Sequence, residues 1–275
     1  MAKRLMIQGT SSSVGKSVLT AGLCRLFSNR GYKVAPFKAQ NMAIPALLPD
    51  GGAIAASVVM QAEAARATPQ TEMNPLLLEV KGPKQSCVYA LGKALGVMSA
   101  VEYQASKEKL KPLVKEAFDR LSRDYDLIIL EGAGSPAEIN LRDGDLVNMA
   151  MAHMADAPVL LVGDIDRGGV FASLVGTLAL LDEADAARVK GLIINKFRGD
   201  ITLLEPGLEM LTRRAGRPVV GVVPYHKSGL PEEDSMEAPA APLTLEERDA
   251  RYDQLADLLE KSLDMGALQR LLDAQ

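Results

Sequence analysis

The sequence predicts an α/β fold built on a mostly parallel sheet with helices on both faces. Short apolar runs alternate with longer stretches of helical periodicity. The runs are nearly continuous in Val, Ile and Leu, as strands buried on both faces require. The first of them also runs into a Gly/Ser-rich turn that stands directly ahead of a helical stretch.

In chain order, Leu5 to Gln8 is the first strand, and Lys16 to Asn29 is a helix stopped by Gly31. Lys33 to Phe37 is the second strand. A helix is predicted over Ala53 to Ala67, with Pro69 beyond it. Residues 68–98 read poorly as helix and are expected to hold an excursion with a short strand at Ser86 to Leu91. Helices are then predicted over Ala100 to Arg123, Asp145 to Ala155, Val170 to Leu181 and Leu203 to Ala215, the last stopped by Gly216. Between them lie strands at Leu127 to Leu130, Val159 to Val162, Leu192 to Asn195 and Val219 to Val223. Pro231 to Pro242, with three prolines among Glu, Asp and Ala, looks like a surface linker. Beyond it, Leu255, Leu258, Leu259, Leu263, Leu268, Leu271 and Leu272 mark an amphipathic pattern broken near Gly266. The expected organisation is one domain over residues 1–236, followed by a linker and C-terminal helical appendage over 237–275.

A chain of 275 residues with 48% hydrophobic and 24% charged residues can bury a core without staples. The 31 Lys plus Arg against 35 Asp plus Glu give a net charge of -4, which argues against broad nucleic-acid or anionic-membrane binding, so any anion site is local. Cys24 and Cys87 show no metal-ligand spacing, and two histidines leave little for a zinc site or a His-based triad. Both thiols are expected to be reduced and in or near the core. The apolar stretch after Lys3-Arg4 is too short for a signal-peptide core, and no later segment offers a membrane-spanning run, so a cytoplasmic protein without membrane contact is expected.

The strongest chemical signal is Gly9-Thr10-Ser11-Ser12-Ser13-Val14-Gly15-Lys16-Ser17, a G-x-x-x-x-x-G-K-S loop between strand and helix. Backbone N–H groups in such a loop wrap a phosphate at the helix N-terminus, Lys16 reaches the β and γ phosphates, and the Ser17 hydroxyl coordinates Mg²⁺. ATP and Mg²⁺ are therefore the expected cofactors. Glu131, at the end of a parallel strand, is the best carboxylate for the metal, with a turn-capping role as the plainer alternative. Because it would serve the metal rather than the fold, its replacement by Gln is expected to fold normally. Asp50, in Pro49-Asp50-Gly51, is a further metal candidate or an ordinary turn aspartate.

Asp164 and Asp166 follow another strand, and with Arg167 they favour phosphate or metal chemistry over simple capping. Asn195-Lys196 closes a further strand, and the Asn amide suits an adenine edge or an Asn-mediated turn equally. Lys38, just past the second strand, would face the phosphates or solvent. Met42, Met60, Met73, Met149, Met151 and Met154 read as core filler, and His153 as structural or exposed.

These residues resemble the ATP-dependent amidoligase domain of the cobyric acid synthases, within the dethiobiotin synthetase-like group of P-loop NTPases. The similarity is carried by MIQGTSSSVGKS at 6–17, VAPFKAQNMA at 34–43, MNPLLL at 73–78, the block EGAGSPAEINLRDGDLVNMAMAHMADAPVLLVGDIDRGGVFASL at 131–174, INKFRGD at 194–200 and GVVPY at 221–225. The resemblance implies that ATP phosphorylates a corrinoid side-chain carboxylate and that ammonia then displaces phosphate to leave an amide, a step of cobalamin biosynthesis. It places Lys16, Lys38 and Mg²⁺ held by Ser17 and Glu131 around the transferred phosphoryl group. It also implies Asn195 by the adenine, Asp164, Asp166 and Arg167 beside the reacting carboxylate and phosphate, and a homodimer.

The sequence departs from the family pattern in two segments. Where the family continues Leu-Asn-Ser after Asn41-Met42-Ala43, this chain has Ile44-Pro45-Ala46. Where the family has a Glu, an Arg and a Gln, this chain has Ala53, Ala56 and Val58. The family also continues into a glutamine amidotransferase domain, whereas a helical stretch follows here, so ammonia is expected from solution or a separate glutaminase subunit. A stand-alone amidoligase is the first reading. A homodimeric nucleotide-switch ATPase without ligation is the second, resting on the changes between 44 and 58. Dethiobiotin synthetase-like carboxylation fits the AEINLRDGDLVNM block less well.

Overall fold

The computed structural model describes residues 2–227, 229 and 243–275. The elements begin β1 (Lys3–Gly9), α1 (Lys16–Asn29), β2 (Val34–Phe37), β3 (Gln40–Met42), β4 (Pro45–Leu47), β5 (Ala53–Ala55) and α2 (Ala56–Ala64). They continue with β6 (Leu76–Gly82), β7 (Gln85–Ala90), β8 (Lys93–Ser99), α3 (Ala100–Asp124), β9 (Leu127–Glu131), α4 (Met149–Met154), β10 (Val159–Asp164) and α5 (Val170–Leu180). The remainder are α6 (Glu183–Arg188), β11 (Val189–Phe197), α7 (Glu205–Ala215), β12 (Val219–Pro224), α8 (Leu245–Ser262) and α9 (Met265–Asp273).

Six strands form the central sheet in the order β12-β11-β10-β1-β9-β2, every neighbouring pair parallel. Apolar residues serve both faces. Met6, Ile128 and Leu130 join the core under α3, α4 and α5, while Leu5, Ile7, Leu127 and Ile129 join the core under α1, α8 and α9. This is the physical reason for the unbroken apolar runs. The Arg25 side chain is fully buried and pairs with Asp249, and α8 and α9 contribute Tyr252, Leu255, Leu259, Leu268 and Leu272 to the same core as Leu23 and Phe27. Both cysteines are free and buried, as expected.

Several elements differ from the sequence expectation, and four of the differences have a clear physical cause or bear on the site. Ala53 to Ala55 is strand, not helix, because it pairs antiparallel with Pro45–Leu47, while Ala53 N–H also donates to Gly92 O and Ala55 N–H to Asn74 Oδ1. The excursion holds three antiparallel strands, β6, β7 and β8, with β3 added alongside β6. The helix expected from Asp145 starts at Met149, since the Asp145 carboxylate accepts from the N–H groups of Val147, Asn148 and Ala150 and acts as an extended cap. The break between the C-terminal helices falls at Leu263 and Asp264, where Asp264 N–H donates to Val220 O, rather than at Gly266. The expected linker over Pro231 to Pro242 lies outside the described residues. No helix among the described residues is long and apolar enough to cross a membrane.

Candidate active site

The segment from Gly9 to Ser17 joins β1 to α1 at the C-terminal edge of the sheet. Gly15 has φ +97°, and a Cβ there would meet Asn195 Nδ2 at 2.3 Å, so glycine is required. No side chain caps α1 and its first turn holds no acidic residue, so the positive end of the helix dipole is not countered from within its own turn. Lys16 folds back over the loop, its Nζ donating to Ser11 O at 3.0 Å and Gly134 O at 3.1 Å.

Strand β9 lies between β1 and β2, pairing Ile7 with Glu131 and Phe37 with Leu130. That register delivers Ser17, Lys38 and Glu131 to one point. Ser17 Oγ donates to Glu131 Oε1 at 2.7 Å and Lys38 Nζ donates to the same oxygen at 3.0 Å. Gln61 Nε2, from α2, donates to Glu131 Oε2. Burial alone would raise the Glu131 carboxyl, but the Lys38 charge and the hydrogen bonds from Ser17, Gln61 and Lys38 outweigh it and hold the group below its ordinary range.

A hydroxyl beside a carboxylate is a hard-oxygen donor set that fits Mg²⁺, which usually takes one or two carboxylates, with phosphates and waters completing its shell. The buried Gln61 Oε1 has no hydrogen-bond partner among the described residues, and a water on such an ion would supply one. No cluster of three or more His, Cys, Asp or Glu suited to a metal occurs among the described residues. Asp50 is not brought to this point. It sits in the exposed turn between β4 and β5, where its Oδ1 accepts from Gly52 N–H at 3.0 Å, which is the turn role.

On the opposite flank of β1, strand β10 pairs Asp164 with Asn195 of β11. Asn195 Nδ2 donates to Val14 O at 2.8 Å, and Lys196 Nζ donates to Ser13 O at 2.7 Å while lying 3.2 Å from Asp164 Oδ2. Ser13 and Lys196 both have positive φ, 58° and 62°, so two non-glycine residues in a costly conformation meet at this contact. Arg167 is 3.8 Å from Asp164, and Asp166 is engaged by Arg198 at 2.7 Å. A cavity of about 280 Å³ is bounded by Asp164, Asp166, Arg167, Asn195 and Lys196 and by an apolar wall of Val18, Leu19, Leu255 and Leu258. Asp164, Asp166 and Arg167 are thus not brought to the point where Lys38 meets Glu131. They gather with Asn195 and Lys196, because β10 and β9 flank β1 on opposite sides.

A second cavity, of about 390 Å³, opens on the β9 side, with Ser12, Ser13 and Lys16 on one wall and Gln40, Met42, Lys107, Leu141 and Arg142 among the others. Asn148 holds its floor, accepting from Ala133 N–H at 3.1 Å and donating to Ala133 O at 2.8 Å. Gln61, Lys107, Arg142 and Asn148 were not singled out from the sequence. The available signal for Gln61 is a polar residue on the apolar face of α2 shared with Val58 and Ala62, and for Lys107 only its place on the helix that borders the cavity.

Other readings resolve simply. His153 is structural, its Nε2 2.8 Å from Asp185 Oδ1 and its Nδ1 accepting from Arg188 Nε at 2.9 Å. Met60, Met73, Met149 and Met151 are core, Met154 packs against it, and Met42 is exposed at the cavity. Of the family-departing positions, Ala53 and Val58 are buried and Ile44 is 78% exposed. The Gln-to-Val change at position 58 thus sits in the core, not on an edge that a substrate could reach.

The family model described as CobQ/CobB/MinD/ParA nucleotide binding domain matches residues 5–235. A cobyric acid synthase of Sorangium cellulosum is 54% identical over 250 residues, which are 88% of this chain and 48% of that protein. A cobyric acid synthase of Yersinia enterocolitica is 51% identical over 265 residues, 96% of this chain and 49% of that protein. The chain thus spans about half the length of these curated relatives. Among solved structures, a MinD cell division protein of Aquifex aeolicus superposes with TM-score 0.47 at 16% identity, covering 93% of this chain and 97% of that one.

Proposed function

The chain belongs to the CobQ/CobB/MinD/ParA nucleotide binding domain family, and from that premise we propose that it works as an ATP-dependent amidoligase of the cobyric acid synthase kind. The observation that carries this reading is the 390 Å³ cavity, which has the phosphate-loop residues Ser12, Ser13 and Lys16 on one wall and the cations Lys107 and Arg142 on others. A phosphoryl donor and a carboxylate acceptor would meet there. Met42 and Leu141 line it and are exposed, and they suit a bulky apolar body such as a corrin ring, too large to be enclosed, with one side chain reaching in.

Mg-ATP would supply a phosphoryl group. A substrate carboxylate oxygen forms a bond to the γ-phosphorus as ADP leaves, then ammonia attacks the acyl carbon, phosphate departs, and a proton is released. The work assigned to the chain is positioning and charge. The loop from Gly9 to Ser17, Thr10 included, wraps phosphate through backbone N–H groups, and Lys16 turns from its carbonyl partners toward the terminal phosphates. Ser17 and Glu131 hold the metal, and Lys38 neutralises charge on the equatorial oxygens. The 280 Å³ cavity bordered by Asn195 and Lys196 takes the adenine base, and Asp164, Asp166 and Arg167 belong to that side. A homodimer, ammonia from solution or a separate glutaminase, a dethiobiotin synthetase-like arrangement, and a nucleotide-binding unit over 1–236 are parts of the same reading. The switch without turnover is not favoured, since the relatives described above are synthases.

The test is turnover. The chain is incubated with Mg-ATP, ammonium and an adenosylated corrinoid diamide, with ADP measured alongside the mass of the corrinoid. Stoichiometric amide formation with ADP release is expected, and ATP consumption with no change in corrinoid mass would overturn the ligase reading.

A further inference from the structure

Three cations line the 390 Å³ cavity, and their circumstances differ. Lys16 is turned to backbone carbonyls of its own loop and of Gly134. Arg142 is clasped by two carboxylates, Asp182 and Asp185, the latter at 2.8 Å. Lys107, on the second turn of α3, is half-buried with its Nζ 5.7 Å from the Tyr103 ring centre, and it forms no ion pair among the described residues. Asp145, the carboxylate whose charge reaches it, has both oxygens committed elsewhere. Its Oδ1 accepts from Val147 and Asn148 N–H, and its Oδ2 from Ala150 N–H.

A half-buried ammonium without a counter-ion is held at a cost, and burial indeed pulls Lys107 below its ordinary range, with Asp145 only partly offsetting the effect. Its position is fixed. Gln104, one turn earlier, donates to Asp143 O at 2.7 Å, and a Cβ on Gly144 would meet Gln104 Nε2 at 2.4 Å, so α3 is seated closely on the 143–145 turn. Resting on the ligase reading above, we propose that Lys107 is a substrate-binding residue that receives a carboxylate of the acid substrate on a wall of the cavity away from the phosphate loop. The salt bridge it lacks in the protein alone is completed by the ligand, which would favour polycarboxylates over their amides.

The experiment compares the parent chain with Lys107→Gln and Lys107→Arg by calorimetry, titrating Mg-ATP alone and then an adenosylated corrinoid diamide in the presence of a non-hydrolysable Mg-ATP analogue. Lys107→Gln should bind the corrinoid about tenfold more weakly or worse, with Mg-ATP affinity unchanged, and Lys107→Arg should regain most of the loss. Equal corrinoid affinity of parent and Lys107→Gln overturns the assignment alone, as does parallel loss of both ligands without rescue by Arg, which marks a structural lysine. A parent chain that binds Mg-ATP but no corrinoid overturns the ligase reading and this assignment with it.

Discussion

Lys38 and Glu131 form a 3.0 Å ion pair in which neither side chain is exposed to solvent. Each stands at the C-terminal end of one of two adjacent parallel strands, so the pair is a consequence of the β2–β9 register. Burying both charges costs several kcal/mol per ion, and replacing such a pair by apolar residues is often neutral or stabilising. Its retention beside Ser17 is consistent with the proposed role, in which a metal and a phosphate take up the two charges.

Replacing Glu131 by Gln should lower the stability of the nucleotide-free protein by about 3 kcal/mol, because it removes a charge partner from fully buried Lys38. Chemical denaturation of both proteins measures this. Sequence reasoning alone expects the variant to fold normally; a variant as stable as the parent would restore that expectation and make the ion pair energetically idle.

The same carboxylate sets a pH dependence. Its folded-state value is lowered, so its contribution is fully present above the unfolded carboxylate range, about pH 4.3, and is lost as pH falls through the lower folded value. The stability gap between parent and Glu131→Gln should therefore stay constant from pH 8 to pH 6 and close only in acid. A gap that already narrows between pH 7 and pH 6 would show that the carboxyl is raised instead.

Lys16→Ala should weaken Mg-ATP binding by about tenfold to a hundredfold, the loss of one charge-assisted contact. The folded state should be little affected, since the contacts of Lys16 to Ser11 O and Gly134 O are hydrogen bonds to backbone carbonyls. Calorimetry with Mg-ATP checks it, and parent-like affinity would remove Lys16 from the phosphate cradle.

The central sheet was legible because its strands are apolar on both faces, and the phosphate loop because its glycines and Lys16-Ser17 occupy a strand-to-helix junction. What the sequence withheld was lateral. It could not show that β9 and β10 lie on opposite sides of β1, and hence that Asp164 belongs with Asn195 while Glu131 belongs with Lys38. Ala53 to Ala55 has helical composition, and its antiparallel pairing with Pro45–Leu47, with further bonds to Gly92 O and Asn74 Oδ1, makes it a strand. Gln61 looked like any polar helix residue, since its partners Glu131 and Ser17 lie 70 and 44 positions away.

The contact between α1 and α8 gives the last test, because two effects oppose each other there. Gly22 lies inside α1, and in an isolated helix exchange to Ala would stabilise by about 1 kcal/mol. In the folded chain, a Cβ at Gly22 would meet Leu259 Cδ1 at 2.5 Å and Leu255 Cγ at 2.8 Å. Both leucines are buried, so neither can swing into solvent, and overpacking of this kind costs about 1–3 kcal/mol. Packing should win, and Gly22→Ala should be destabilised by about 1 kcal/mol net. Because Leu255 also lines the 280 Å³ cavity beside Asn195, the displaced helix should weaken Mg-ATP binding in parallel. Adding Leu259→Val, which removes a methylene at the point of closest approach, should recover part of both losses. A Gly22→Ala chain more stable than its parent would mean that helix propensity governs and that α8 yields to the new methyl group at no cost.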